Sequence, residues 1–188
     1  MRFATKERVL SHNERTFAEK VFDDSLPSWE RIKITDGMGP IPGYDKPYTD
    51  EVLRMFVLNV GPDYYPDMDN DDDHDGWGGS RALLIHELTH VWQFYHGYWV
   101  VLRSFWANVP GKGYHYTLEE SDAWDDFNVE QQASIVEHWF TRGMQTSDDR
   151  FPFIAKIIKP GITGGFWATI RVKLMIEMPL KELRDFDP

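Results

Sequence analysis

The sequence predicts an α+β domain: a small N-terminal sheet packed on a central helix that carries a His-Glu-x-x-His motif, with a mainly helical C-terminal part. Three observations carry this expectation. Strand-like runs, Arg31 to Thr35 and Arg54 to Val60, fall in the first third of the chain. Helical spacing dominates from Ser80 onward. The 188 residues with 41% hydrophobic content provide for one substantial core but hardly for two, and no internal repeat or interdomain linker divides them.

Taken in order, Ser11-His12-Asn13-Glu14 is a capping box that opens a helix to about Phe22, with Phe17, Ala18, Val21 and Phe22 at helical spacing. Arg31-Ile32-Lys33-Ile34-Thr35 alternates polar and apolar residues, and Asp36-Gly37 closes it as a turn. Residues 37 to 50, rich in Gly and Pro, read as a loop. Arg54 to Val60 is mostly apolar and ends at Gly61-Pro62, so it reads as a strand packed on both faces whose edge would take an extended peptide. Between Asp63 and Asp75 seven aspartates occur without Lys or Arg, and their repulsion predicts a loop through 63–79. Ser80 is placed to cap a helix reaching about His96, with Gly97 as its C-terminal glycine. Leu84, Ile85, Leu88, Val91, Trp92 and Tyr95 give that helix one broad apolar stripe. A further helix spans about Asp126 to Arg142, and shorter helical patterns lie near 153–158 and 166–178.

Composition excludes several function classes. Twenty basic against 31 acidic residues leave a net charge of −11, which disfavours nucleic acid as a partner. With no cysteine, any metal site must use His and carboxylates. The charged N-terminus lacks the apolar core of a Sec-type signal, and no apolar run is long enough to span a membrane. The expectation is a soluble chain, either cytoplasmic or exported by a dedicated secretion machine.

His86-Glu87-Leu88-Thr89-His90 carries the chemistry. Helical residues four apart differ by only ~40° in rotation and ~6 Å in rise, so both imidazoles reach one ion from one face. Glu87 sits beside that face, where a base acting on water belongs. Gln93 shares the face and is expected to touch substrate or to support a ligand. For the third ligand, His96 reproduces a known long spacing, but it is rotated by ~240° from His90 on an unbroken helix and there is no Gly at the position that would break it. Glu130, near the start of the later helix and followed one turn on by the small Ala133, is the better candidate. Glu137, Glu119, Glu120 and Asp122 are rivals, and His138 reads as structural. Two histidines and one glutamate with an open fourth position make a catalytic Zn2+ site.

Leu84 to Gln93, then Tyr114-x-Tyr116, then Asn128-x-Glu130-Gln131-Gln132-Ala133-x-Ile135-Val136, together resemble the small zinc-peptidase-like domains of bacterial polymorphic-toxin, Rhs-associated and contractile-injection proteins, over roughly residues 8 to 140. Asp23-Asp24 and the acidic loop depart from that pattern. The resemblance implies a zincin-like fold of gluzincin type, with His86, His90 and Glu130 as zinc ligands and Glu87 as catalytic acid and base, and it carries over no substrate. The expected function is a metallopeptidase acting on a protein or peptide, an effector toxin with an immunity or inhibitor protein as a partner. In the implied mechanism His115 or Tyr116 would donate to the oxyanion and Tyr114 would meet the substrate; aromatic packing is the competing reading of all three. The alternative function is a non-catalytic, zinc-stabilised delivery or protein-binding module.

Asp71-x-Asp73-x-Asp75-Gly76 matches positions 1, 3, 5 and 6 of a Ca2+ loop, but position 12 is Ala82 rather than a bidentate Glu, so a solvated acidic loop is favoured. The acidic excess is local: these seven aspartates precede the motif helix, and five more acids lie between Glu119 and Asp126, ahead of Glu130. This placement predicts an acidic rim around the approach to the site.

Overall fold

Four strands form a mixed sheet in the order β1-β2-β4-β3, with β1 at Glu7–Arg8, β2 at Ile32–Thr35, β3 at Tyr48–Val52 and β4 at Met55–Asn59. The computed structural model describes residues 2–39, 46–70, 79–98, 113–119 and 121–161. β2 and β4 run parallel, with Ile32 opposite Phe56 and Ile34 opposite Leu58, while β1 and β3 are antiparallel to their neighbours. Helix α1 (His12–Phe22) lies between β1 and β2 in sequence, α2 (Ser80–Tyr95) and α3 (Val129–Thr141) pack on one another, and α4 (Phe151–Phe153) runs on as a π-helical turn over Ile154–Ile158.

Sequence and structure agree on α1, where Ser11 caps the helix and Glu14 returns the bond to the Ser11 backbone. They differ at β3, which occupies the end of a stretch read as loop. Its hairpin to β4 turns through Leu53 and Arg54, both at positive φ (51° and 65°), without the Asn-Gly pair that normally signals such a turn. β4 therefore has partners on both sides, which overturns the expectation that a peptide adds to it; the edge beside it belongs to β3.

Two further differences concern α2. Gly79, at φ 90°, is the N-cap, and Ser80 is instead the first helical residue, buried with its hydroxyl on Asn70 Oδ1 at 2.9 Å. The helix is also buried on nearly all sides rather than along one stripe: every residue from Ala82 to Phe94 is buried. An all-round buried helix whose sequence includes His86, Glu87, Thr89, His90 and Gln93 must pair those groups internally. The later helix begins at Val129 rather than 126, because Trp124–Asp126 forms a 3-10 turn and Asn128 is the cap. The pattern at 166–178 and the Asp71, Asp73 and Asp75 calcium motif lie outside the described residues.

The core joins Phe22, Ile32, Ile34, Phe56 and Leu58 from α1 and the sheet to Leu84, Leu88, Val91 and Trp92 from α2. Trp92, fully buried, donates its indole N–H to Ile158 O at 3.1 Å, which fixes the π-helical turn against α2. At the N-terminus, the buried Glu14 carboxylate takes both guanidinium arms of Arg8 at 2.7 Å and the backbone N–H groups of Ser11 (2.7 Å) and Met68 (3.1 Å). Burial alone would raise its pKa, but Arg8 and these donors hold it below the usual carboxylate value. Glu14→Ala would leave the Met68 N–H without its acceptor and Arg8 with only the Tyr65 and Val9 carbonyls; we expect a loss of ~3 kcal/mol in urea unfolding, the lower end of the cost of breaking one side of a largely buried ion pair.

Candidate metal centre

Helix α2 presents the motif and α3 answers it. Asn128 Oδ1 accepts from the N–H groups of Glu130 (2.9 Å) and Gln131 (3.0 Å), and Gln131 Oε1 accepts from Asn128 N–H at 3.0 Å. This capping box sets Glu130 in the first turn of α3. Ala133, fully buried one turn later, has the small side chain that a close helix pair needs. The Glu130 carboxylate reaches between the two histidines: its Oε2 is 3.3 Å from His86 Nε2 and 3.3 Å from His90 Nε2. Three ligand atoms from His86, His90 and Glu130 lie within 4.8 Å of one another.

The two 3.3 Å separations fit a tetrahedral ion. Donors bonded at about 2.0–2.1 Å lie about 3.3 Å apart at tetrahedral angles. The chemistry of the donors agrees with the geometry. Burial works against charging His86, yet the carboxylates of Glu130 and Glu137 at its two nitrogens outweigh burial and raise its pKa to about 10. Burial also opposes charge on His90, and Glu130 reverses that effect. Glu130 is itself held far below the ordinary carboxylate range by His90 and His86, against the opposing effect of burial. The cluster holds positive charge between carboxylates, and a cation would take the place of the shared protons.

Each histidine is aimed from behind. His86 Nδ1 donates to Glu137 Oε2 at 2.9 Å, so its Nε2 is the nitrogen that faces the cluster. His90 is oriented by two glutamines. Gln132 Nε2 donates to the carbonyls of Trp124 (3.0 Å) and Phe127 (3.2 Å), which can only accept, so Gln132 Oε1 must accept from Gln93 Nε2 at 2.9 Å. Gln93 Nε2 also donates to Val129 O, which leaves Gln93 Oε1 to accept from His90 Nδ1 at 2.7 Å. The carbonyls of α3's approach thereby select the His90 tautomer whose Nε2 lone pair faces Glu130. Gln93→Leu is expected to weaken zinc binding by roughly 10- to 100-fold in chelator competition, the usual cost of losing such a support.

Glu87 lies beside the ligands, with 3% of its surface exposed. Thr49 Oγ1 on β3 donates to its Oε2 at 2.6 Å, which leaves Oε1 to exchange a proton. Burial raises its pKa, which keeps this carboxyl closer to a form that both takes and returns protons.

The structure distributes the other sequence-proposed residues as follows. Gln93 is fully buried and supports His90, so it has no surface to offer a substrate. Tyr114 lies with its ring centroid 5.9 Å from that of His86, under Lys46, and is the aromatic of its segment in contact with the cluster. His115 is exposed and contributes its carbonyl to Gln131 Nε2 at 2.7 Å, which ties this segment to α3. Tyr116 OH is engaged by Arg150 Nε (2.7 Å) and His138 Nδ1 (2.8 Å), so as an oxyanion donor it would first have to leave both. His96, at the end of α2, is 2.8 Å from Ser25 O through Nε2, and burial lowers its pKa. It is a structural histidine held toward its neutral form, in keeping with its rejection as the third ligand. Sequence reasoning missed Thr49 and Gln132 and left Glu137 as a rival ligand. Glu137 was detectable, since it lies two helical turns from Glu130 and so on the same face.

Fold and site together define a small α+β domain with a buried two-histidine, one-glutamate cluster and an adjacent carboxyl. No protein-family model matches the chain. It is 35% identical over 166 residues to the type VI secretion system spike protein VgrG2b of Pseudomonas aeruginosa, an alignment that covers 82% of this chain and 15% of that protein. The chain thus spans about 15% of the length of that relative. Among solved structures it resembles the effector domain of Pseudomonas aeruginosa VgrG2b, with 27% identity, a TM-score of 0.53, and coverage of 81% of this chain and 82% of that one. These findings correct the kinship inferred from the motifs: the likeness is to a type VI spike effector domain, not to the polymorphic-toxin and Rhs-associated zinc-peptidase-like domains, and neither relative is described as a zincin. Among the described residues no helix is long and apolar enough to cross a membrane.

Proposed function

We propose that this domain is a zinc-dependent hydrolase of peptide bonds and acts as an effector delivered by a type VI-like secretion machine. The observation that carries the proposal is the convergence of His86 Nε2, His90 Nε2 and Glu130 Oε2 at separations suited to one zinc ion, with the Glu87 carboxyl beside them. The likeness to an effector domain supports the delivery half of the reading. Zinc, when bound, supplies Lewis acidity for a carbonyl and lowers the pKa of water.

The chain supplies the rest. Glu87 Oε1 removes a proton from the attacking water, stores it, and passes it to the departing amine. Thr49 holds the other oxygen of that carboxylate, so its orientation is set before substrate arrives. Tyr114, whose ring lies against His86, would meet the chain being cut. A protein or peptide substrate and an inhibitor that protects the producing cell are the partners this reading requires. The test is a metal analysis of purified protein together with cleavage of a peptide library before chelation, after chelation and after zinc is restored. About one zinc per chain and reversible loss of cleavage are expected; cleavage that survives full chelation would overturn the reading.

A further inference from the structure

Helix α3 presents two neighbouring stripes, each made of residues seven apart and so two turns apart. Glu130 and Glu137 form the first and face the histidines of α2: Glu130 Oε2 is 3.3 Å from both Nε2 atoms, and Glu137 Oε2 is 2.9 Å from His86 Nδ1. Gln131 and His138, the next residue in each case, meet the segment 113–118 instead. Gln131 Nε2 donates to His115 O at 2.7 Å, and His138 Nδ1 lies 2.8 Å from the Tyr116 hydroxyl. A third tie comes from the turn before α4, where Arg150 Nε donates to the same hydroxyl at 2.7 Å while Asp148 holds the guanidinium through Nη1 at 2.8 Å. Since a guanidinium only donates, the phenol oxygen accepts from Arg150 and its own hydrogen goes to His138 Nδ1. Burial lowers the His138 pKa, in keeping with a neutral ring that accepts. Immediately before these ties, the Tyr114 ring rests on His86 with centroids 5.9 Å apart.

We propose that Tyr116 and Gln131 are positioning residues: their bonds strap segment 113–118 to α3 and so hold the Tyr114 ring against His86 at the edge of the metal cluster. The segment belongs to no helix or strand, so its own backbone pattern does not fix it. Contact between an aromatic ring and an imidazole is weak and broad in direction. Hydrogen bonds are directional, and the three ties set the segment's register along α3. Two of them start from residues adjacent to Glu130 and Glu137, so one rigid helix registers both the cluster and the ring beside it. With its oxygen and its hydrogen both engaged, Tyr116 acts through Tyr114 rather than on a reacting carbonyl. The consequence for turnover rests on the hydrolase reading above, whereas the placement of Tyr114 does not.

The test uses purified protein supplied with zinc and carrying fluorotyrosine at residue 114, and compares the parent with Tyr116→Phe and Gln131→Glu. Melting curves establish that each variant is folded. Gln131→Glu keeps the side-chain oxygen that accepts from Asn128 N–H, and with it the cap of α3, but loses the donor to His115 O. In both variants the fluorine resonance is expected to move toward that of free fluorotyrosine. With a peptide substrate, each should raise KM roughly fivefold at unchanged kcat, the signature of a contact made equally to bound substrate and transition state and the size of about one hydrogen bond. Neither should raise KM further once Tyr114 is replaced by alanine, because both act through that ring. An unmoved resonance in either folded variant, or a KM effect that persists in the Tyr114→Ala background, would overturn the proposal. So would a fall in kcat at constant KM for Tyr116→Phe, which would make Tyr116 a donor to the transition state. A parent that cleaves no peptide would instead remove the hydrolase reading, and the resonance by itself would then decide whether the strap holds.

Discussion

Glu87→Gln is expected to retain a full equivalent of zinc and to lose peptide hydrolysis by about 10²- to 10⁴-fold, the range that a positioned acid and base contributes. The substitution is nearly isosteric, and the amide oxygen still accepts the Thr49 hydroxyl bond that now reaches Glu87 Oε2. Neither histidine nor Glu130 is touched, so the ligand geometry stands. In the proposed mechanism, what disappears is the capacity to take a proton from water and return it to an amine. Stability should hold or rise, because burial penalises the Glu87 charge and a neutral amide escapes that penalty. A variant with unchanged turnover would show that another group is the base, whereas one that loses zinc as well would assign Glu87 to the ligand set.

Glu130→Ala attacks the other half of the site and should separate metal binding from fold. Its carboxylate is the one that reaches both imidazoles and, in the proposed site, would contribute one of three ligands. Loss of one ligand should reduce zinc affinity by well over the roughly 10- to 100-fold expected for a supporting residue such as Gln93. Glu137 remains on His86 Nδ1 and the glutamine pair remains on His90 Nδ1, so both rings keep their orientation. We therefore expect a folded protein that fails to retain zinc through dialysis, measured by metal analysis. Retention of one zinc would move the third ligand elsewhere, and Glu137 would be the first alternative because it already reaches His86.

Much of the site was legible because its signals are local. The i, i+4 histidines and the carboxyl between them need only a few consecutive residues, and helical geometry converts the spacing into direction, whereas the Asn128 cap of α3 was passed over for a start near Asp126. The third member of the cluster was legible only as a ranking. Its selection over His96 follows from a continuous α2 that turns His96 toward Ser25, and its selection over Glu119 and Asp122 follows from the packing of α3 on α2.

Other features had no local signal. β3 was hidden because its turn uses Leu53-Arg54, residues that do not favour positive φ, and because the strand is stabilised by pairing with β4 rather than by its own pattern. Since Thr49 lies on that strand, its bond to a carboxyl 38 positions away was hidden with it. The same holds for the two glutamines, whose amides are oriented by carbonyls of a 3-10 turn that exists only once α2 and α3 have met.

The acidic excess shows the division most clearly. The sequence placed five acids between Glu119 and Asp126 and read them as a rim to the metal site. In the fold, Glu119, Asp122 and Asp125 join Asp149 around a separate apolar groove. By itself the sequence determined the α+β class, the capping box of α1, and the spacing of the two histidines with their neighbouring glutamate, since the last two depend on backbone geometry over one or two turns. Tertiary structure decided which carboxylate closes the site, which nitrogens face it and where the remaining charge collects, because these depend on distances between elements far apart in the chain.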